Sequence, residues 1–380
     1  MRRVYFDNAA TTPIDPDVFE AMKPFMLDHF GNPSSTHSHG RAVRSAIERA
    51  RKTVAGLLNA ATSEIFFTSG GTEADNAAIR CTIEAYNLKH AITTGIEHKA
   101  VLQTLKELEA KGKIKLSLLD LDERGNFDIS QLDELLKNNS RSLVSIMHGN
   151  NEIGNIFDIE QIAELCEEHG AIYHSDTVQT MGHYQHDLKV LKAKCIVGSA
   201  HKFHGPKGIG FLYASKSHHI HPFVTGGGQE RNMRGGTENV YGIVGLAKAL
   251  EIAYQEMDAH HQHIQGLKDR MVEQLRAKIS GVEFNGNSVQ ADKSLYTVLN
   301  VSLPPSEDND MLLFNLDING ISASGGSACN SGASLGSHVL SAINADPQRG
   351  AVRFSFSKYN TVEEVDYTVA KLSELYGVTA

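Results

Sequence analysis

From about residue 40 to residue 255, apolar residues fall into two alternating patterns. Short apolar runs occur at Glu64–Thr68, Ala91–Thr94, Ile114–Leu119, Leu143–Met147, Ala171–Ser175, Cys195–Gly198 and Gly208–Tyr213. Runs of this length read as strands buried on both faces. The stretches between them repeat at helical spacing. The first, Gly40 to Leu58, puts Val43, Ala46, Ile47, Ala50, Val54, Leu57 and Leu58 on one face. This alternation predicts an α/β fold, a mostly parallel seven-stranded sheet covered by helices on both sides.

A polar, helix-forming stretch rich in His and Gln, from Tyr254 to Ser280, interrupts the pattern, and a boundary near residue 257 follows. Beyond it the chain reads strand (Tyr296–Leu303), helix (Asp308–Leu316), Gly/Ser loop (Ser322–Ser334), helix, strand (Val352–Ser357) and a closing helix from Thr361, where Glu364 can complete a capping box. The expected organisation is an N-terminal arm over 1–14 packed with the small domain, a large domain over 15–257, and a smaller α+β domain over 258–380 carrying a mobile loop at 322–334. No repeat with a period of about 20–50 residues is present, which excludes a solenoid.

Composition narrows the function. With 41% hydrophobic residues and 33 Gly against 9 Pro in 380 residues, the chain is ordinary globular protein. Its net charge of −9 gives no field that attracts nucleic acid or an acidic membrane, so any phosphate must be held by a local site. The 4 cysteines, Cys81, Cys166, Cys195 and Cys329, form no CxxC pair and no disulfide scaffold. The N-terminus lacks the apolar core of a secretory signal, and no run approaches the ~18 apolar residues of a membrane helix. A cytoplasmic protein is expected.

In open α/β sheets ligands bind beyond the carboxyl ends of the strands, and here those ends are rich in chemistry. Ser69-Gly70-Gly71-Thr72-Glu73 follows the first run and opens a helix, whose N–H groups suit an anion; a capped helix start explains the same turn. Glu97-His98-Lys99, His148-Gly149-Asn150-Asn151-Glu152, Asp176 with Gln179, and Ser199-Ala200-His201-Lys202 follow other runs.

An anion cradle, a lysine for a Schiff base and a carboxylate for a pyridine nitrogen are together what pyridoxal 5′-phosphate requires. Rival motifs fail on context. Gly205-Pro206-Lys207-Gly208-Ile209-Gly210 precedes a strand, so it is not a dinucleotide fingerprint, and no G-x-x-x-x-G-K-[ST] loop is present. His218, His219 and His221 read as a solvated loop, and no metal is assigned.

At this point the chain resembles the cysteine desulfurases of the NifS/IscS type, in the class V aminotransferase-like branch of fold-type I pyridoxal-phosphate enzymes. The resemblance runs from Tyr5-Phe6-Asp7-Asn8-Ala9-Ala10-Thr11-Thr12 to Val352-Arg353-Phe354-Ser355. Its most specific stretches are Phe30–Ser35, Thr68–Glu73, Asn150-Asn151-Glu152-Ile153-Gly154, His201–Gly208 and Gly325-Gly326-Ser327-Ala328-Cys329.

The resemblance implies that Lys202 links to the cofactor and later moves protons, Asp176 pairs with the pyridine nitrogen and Gln179 with the ring hydroxyl. His98 stacks over the ring as an acid/base group. Thr72, Ser199, His201 and the Gly71 backbone bind the phosphate, with Thr237 reaching it from the second subunit of a homodimer. Asn151 also lines the cofactor, and Asn32, Asn151 and Arg353 hold the substrate carboxylate. An arginine suits that task through its planar fork.

Cys81 and Cys166 fall on apolar helix positions and Cys195 begins a buried strand, so all three read as core. Cys329 sits among Ser324, Gly325, Gly326, Ser327, Asn330, Ser331 and Gly332, too polar a stretch to bury itself. The resemblance makes it the nucleophile that takes sulfur from L-cysteine as a persulfide, leaving alanine, for a sulfur acceptor protein in iron–sulfur cluster or other sulfur biosynthesis. Selenocysteine lyase, another aminotransferase of the branch, and a non-enzymatic sulfur-carrier subunit are the alternatives. Two departures stand out: Thr177 replaces the alanine usual after the aspartate, and the chain ends at Ala380, short of the tail with which relatives dock a scaffold protein.

Overall fold

The computed structural model describes residues 2–139, 141–307, 309–325 and 336–376. Its strands are β1 (Val4–Tyr5), β2 (Ile65–Thr68), β3 (His90–Thr94), β4 (Lys115–Leu119), β5 (Leu143–Ser145), β6 (Ile172–Asp176), β7 (Cys195–Ser199), β8 (Gly210–Ala214), β9 (Glu283–Phe284), β10 (Val298–Pro305), β11 (Ile321–Ser322) and β12 (Arg349–Ser355).

The seven short runs do form one sheet, in the order β2-β8-β7-β6-β5-β3-β4. Strand β8 is antiparallel to both its neighbours, β2 and β7, and the other four pairings in that sheet are parallel. Every strand of the sheet except β8 therefore points its carboxyl end to the same edge. The first predicted helix spans Ser38–Leu57 and buries Val43, Ala46, Ile47, Ala50 and Val54 as its spacing requires. A large core continues across this helix, the sheet and helix Val240–Gln255.

A second core takes over beyond Ala253. Helix Met257–Lys278, β10, β12 and the closing helix Val362–Tyr376 bury Ile264, Leu267, Met271, Leu299, Val301, Val352, Phe354, Val365 and Val369 together. Strands β9, β10 and β12 form its antiparallel sheet. The capping box forms, with Thr361 N–H donating to Glu364 Oε2 (3.0 Å) and Glu364 N–H to Thr361 Oγ1 (3.3 Å).

The N-terminal arm joins this second core: β1 pairs in parallel with β11, and Val4 and Phe6 are buried in it. Residues past the Gly/Ser loop do the reverse. Val339 and Ile343, in and just after helix His338–Ala342, pack into the large core, so the segment after the loop returns to the seven-stranded sheet before β12 begins.

Candidate active site

A cavity of about 390 Å³ opens at the carboxyl edge of the large sheet, walled by Ala9, Ala10, Gly71, Thr72, His98, Asn151, Asp176, Gln179, Ser199, His201, Lys202 and Arg353, among others. Residues from five strand ends and from both cores meet there.

At one end stands the N-terminus of helix Gly71–Tyr86. Gly71 is buried against the neighbouring loop: a Cβ there would meet Val178 Cγ2 at 2.8 Å, so only glycine lets the helix start this close. Gly70 takes φ +156°, a conformation side chains rarely adopt. Thr72, Ser199 and His201 adjoin this helix end, where the cavity meets a second depression lined by the same residues. Glu73, on the helix's outer side, is neutralised by Arg234 (2.9 Å), which with the Ser69 N–H holds its carboxyl below the usual range despite burial.

At the other end Asp176, the last residue of β6, is buried. Its Oδ1 accepts the Val178 N–H at 2.8 Å. Burial raises its pKa; His98, the Val178 N–H and Lys202 work against that rise. His98 caps helix Lys99–Ala110, its Nδ1 accepting the Ala100 N–H at 3.2 Å. The neutral ring therefore carries its proton on Nε2, and burial lowers its pKa.

Lys202 lies in the turn after β7. Its Nζ donates to the carbonyls of Ala9 (2.5 Å) and Ala10 (2.8 Å), and Gln179 Nε2 donates to Ala9 at 3.0 Å. His201 Nδ1 lies 3.1 Å from Thr11 Oγ1.

Arg353 comes from the second core and is 1% exposed, far from the surface position a strand arginine ordinarily takes. It is anchored by Asp7 Oδ1 (2.7 Å) and the Asn151 carbonyl (2.8 Å). Among the described residues its buried Nε has no hydrogen-bond partner. Glu152, beside Asn151, accepts from Ser337 Oγ, and His338 donates through Nε2 to the Glu97 carbonyl at 3.0 Å.

Gly71, Thr72, His98, Asn151, Asp176, Gln179, Ser199, His201, Lys202 and Arg353 thus come together. Asn32 does not: it is exposed, its Oδ1 accepts the Ser34 N–H (2.9 Å), and it is not among the cavity's walls. Thr237 is exposed and also outside them. Cys329 lies outside the described residues. Thr177 turns its hydroxyl to the Val197 carbonyl (2.7 Å) on the neighbouring strand. Cys81, Cys166 and Cys195 are buried as expected, and burial pushes their thiols up to about 11, 12 and 12.

One expectation is overturned. His218 is not solvated: it is buried, stacks on Tyr86 with ring centres 5.1 Å apart, and bonds Thr82 Oγ1 at 2.8 Å. His219 and His221 are exposed. The pattern carried no sign of this, because the partners of His218 lie more than a hundred residues earlier.

Sequence reasoning missed Asp75 and His338, and gave Glu152 at its strand end no role; all three line the cavity. Asp75 left a readable signal, a carboxylate beside the inward Ala74, Ala77 and Ala78 of its helix.

The whole arrangement matches one family. The aminotransferase class-V family model covers residues 4–368, and the chain belongs to that family. Within it, the chain is 43% identical over 378 residues to the cysteine desulfurase IscS of Dictyoglomus turgidum, covering 98% of this chain and 94% of that protein. It is 44% identical over 376 residues to the putative cysteine desulfurase IscS 1 of Bacillus subtilis, covering 98% and 97%. Among solved structures, a NifS-like protein superposes with a TM-score of 0.90 at 39% identity, covering 98% of this chain and 99% of that one.

Proposed function

We infer that this chain is a pyridoxal-phosphate-dependent cysteine desulfurase that takes sulfur from L-cysteine onto Cys329 and passes it to an acceptor protein. The observation that carries this reading is the convergence of Lys202, buried Asp176, the Gly71 helix start and buried Arg353 on one cavity.

The residues fit the cofactor. The Gly71–Thr72 helix start with Ser199 and His201 suits its phosphate, since unpaired N–H groups and the helix dipole favour an anion. Asp176, held at one oxygen by a backbone N–H, suits a protonated ring nitrogen. Lys202 would be the covalent anchor, Gln179 would bind the ring hydroxyl and His98 would stack on the ring. When bound, the cofactor supplies an electron sink beside the substrate's α-carbon.

The chain's own residues do the rest. Arg353 and Asn151 hold the substrate carboxylate, with Asp7 keeping the guanidinium in place. Lys202 and the Nε2 of His98 hold and move protons. The Cys329 thiolate attacks the substrate sulfur, an S–S bond forms as the C–S bond breaks, and the carbon left behind takes up a proton and departs as alanine. Ser324 is bonded through its backbone to Arg353 (2.6 and 3.2 Å) and Ser337 to Glu152, so both ends of the segment bearing Cys329 start at the cavity.

Thr237 and the exposed Leu27 and Phe30 support a homodimer in which a second copy completes the phosphate end. Its setting is the reducing cytoplasm, which keeps the Cys329 thiol free to attack. No described helix is long and apolar enough to cross a membrane.

The test supplies the purified protein with pyridoxal phosphate, L-cysteine and a reductant. Alanine and sulfide are expected in equal amounts, and Cys329→Ala should keep the cofactor's visible band while losing sulfide release. Absence of both products from the wild type overturns the reading.

A further inference from the structure

Below Asp176, the structure buries two more titratable groups that the reaction does not use. Asp75 projects from the second turn of helix Gly71–Tyr86 and is 1% exposed; His174, two residues before Asp176 on β6, is also 1% exposed. His174 Nε2 stands 3.3 Å from Asp75 Oδ1. The approach lacks hydrogen-bond geometry, and among the described residues neither atom has a hydrogen-bond partner. On its other side His174 Nδ1 meets Ser145 Oγ at 2.8 Å. One oxygen of Asp75, one of Asp176 and a ring nitrogen of His98 lie within 4.8 Å of one another.

Charge decides what this cluster can be. Glu97, buried nearby, accepts from the Met147 N–H (2.9 Å) and Thr94 Oγ1 (3.2 Å). Three ionised carboxylates at Asp75, Asp176 and Glu97 would crowd one buried end of the cavity beside a neutral His98, and a buried charge without a partner is costly. For Asp176, His98 and Lys202 work against the rise that burial imposes. Burial, with Asp176 and Glu97 adding to it, pushes Asp75 well above the carboxylate range. Burial takes His174 down to about 3, with His218 contributing, and Glu97 up to about 8. An Asp75–His174 ion pair is disfavoured from both sides.

We propose that Asp75 is a proton-holding positioning residue: paired with a neutral His174 beneath Asp176, it keeps Asp176 the single anion at the ring-nitrogen end of the cavity. This rests on the pyridoxal-phosphate reading above and adds a residue to it. A neutral acid at this place sets a polar but uncharged group beside Asp176. An ionised one would add a second negative charge there and raise the affinity of Asp176 itself for a proton.

Three measurements on the full chain test the proposal, and a first control asks whether wild-type apoprotein takes up pyridoxal phosphate at all. Failure of that control defeats the cofactor reading. It leaves the infrared arm, which needs no cofactor, to judge the protonation of Asp75.

In the infrared difference between wild type and Asp75→Asn at neutral pH, we expect loss of the carbonyl band of a protonated carboxyl, shifted in deuterium oxide; no such loss overturns the proposal. In the holoprotein, the pH midpoint of the cofactor's visible absorption should stay within about 0.3 in Asp75→Asn, because a neutral group replaces a neutral group. Loss of a true negative charge at this range would lower it by about one or more, and that result overturns the proposal. The groups facing this cluster, Asp176, Glu97, His98, Lys202 and His218, are unchanged in the variant.

Finally, cofactor affinity should fall about tenfold or more in Asp75→Ala, which leaves His174 facing a void, and stay within about threefold in Asp75→Asn. Equal losses in both overturn it. If Asp75→Ala does not fold, the infrared and absorption arms still decide.

Discussion

Gln179 and Lys202 donate to one and the same atom, the carbonyl oxygen of Ala9, at 3.0 and 2.5 Å. A lysine waiting for an aldehyde is thereby held by the N-terminal arm. Lys202→Ala should abolish covalent retention of pyridoxal phosphate, read as loss of the borohydride-reducible mass adduct, while the fold, read by far-UV circular dichroism, persists.

The helix start at Gly71 has no room for a methyl group. Gly71→Ala brings Cβ to 2.8 Å from Val178 Cγ2, and an overpacked contact of this kind costs about 1–3 kcal/mol. Cofactor affinity measured by fluorescence titration should drop about tenfold or more. Adding Val178→Ala should recover most of the loss; no recovery would show that the methyl acts on the anion and not on Val178.

Arg51 and Glu230 form a bidentate ion pair, 2.8 Å at both contacts, with side chains 3% and 2% exposed. Glu230 also accepts the Phe67 N–H at 2.9 Å, and Arg51 donates to the Ile65 carbonyl at 2.9 Å. Removing one partner strands the other, a loss of about 3–5 kcal/mol. Arg51→Met and Glu230→Gln should each lower the urea midpoint strongly, and the double variant should lose clearly less than the sum.

Lys268 is buried, donating to Ser294 Oγ and the Leu295 carbonyl, both at 2.7 Å, and burial lowers its pKa to about 7. The unfolded lysine titrates near ~10.4. Between those values the unfolded chain binds the extra proton, so this residue's contribution to stability rises with pH from about 7 to about 10 and is flat below 7. Lys268→Met should remove that slope, on the order of a few kcal/mol, from denaturation curves taken across the range.

Cys81, Cys166 and Cys195 are buried with thiols raised by desolvation, which makes them poor nucleophiles at neutral pH. Brief iodoacetamide treatment of the native protein near pH 7.5 should give a single adduct by mass spectrometry, on Cys329, and none in Cys329→Ala.

The strand ends were the legible part. Short apolar runs fixed where the backbone leaves the sheet, so Asp176, Ser199 and Lys202 could be placed at its edge from spacing alone. Residues whose place depends on another element were not legible in that way. Asp75 turns inward because β6 lies against its helix, His218 is buried by Tyr86 and Thr82, and Arg353 reaches the cavity because the second core carries β12 up to the arm. Asn32 and Thr237 came from resemblance, and a single chain leaves both outside the cavity.

The arm that holds Lys202 is itself held from far along the chain: Val4 pairs with Ile321, and Asp7 bridges to Ser355. The large domain holds the arm at Gln179 and His201, and the remaining ties come from β11 and β12, more than a hundred residues beyond Lys202. The setting of this lysine is therefore a long-range property: a change in β11 or β12 reaches Lys202 through the arm.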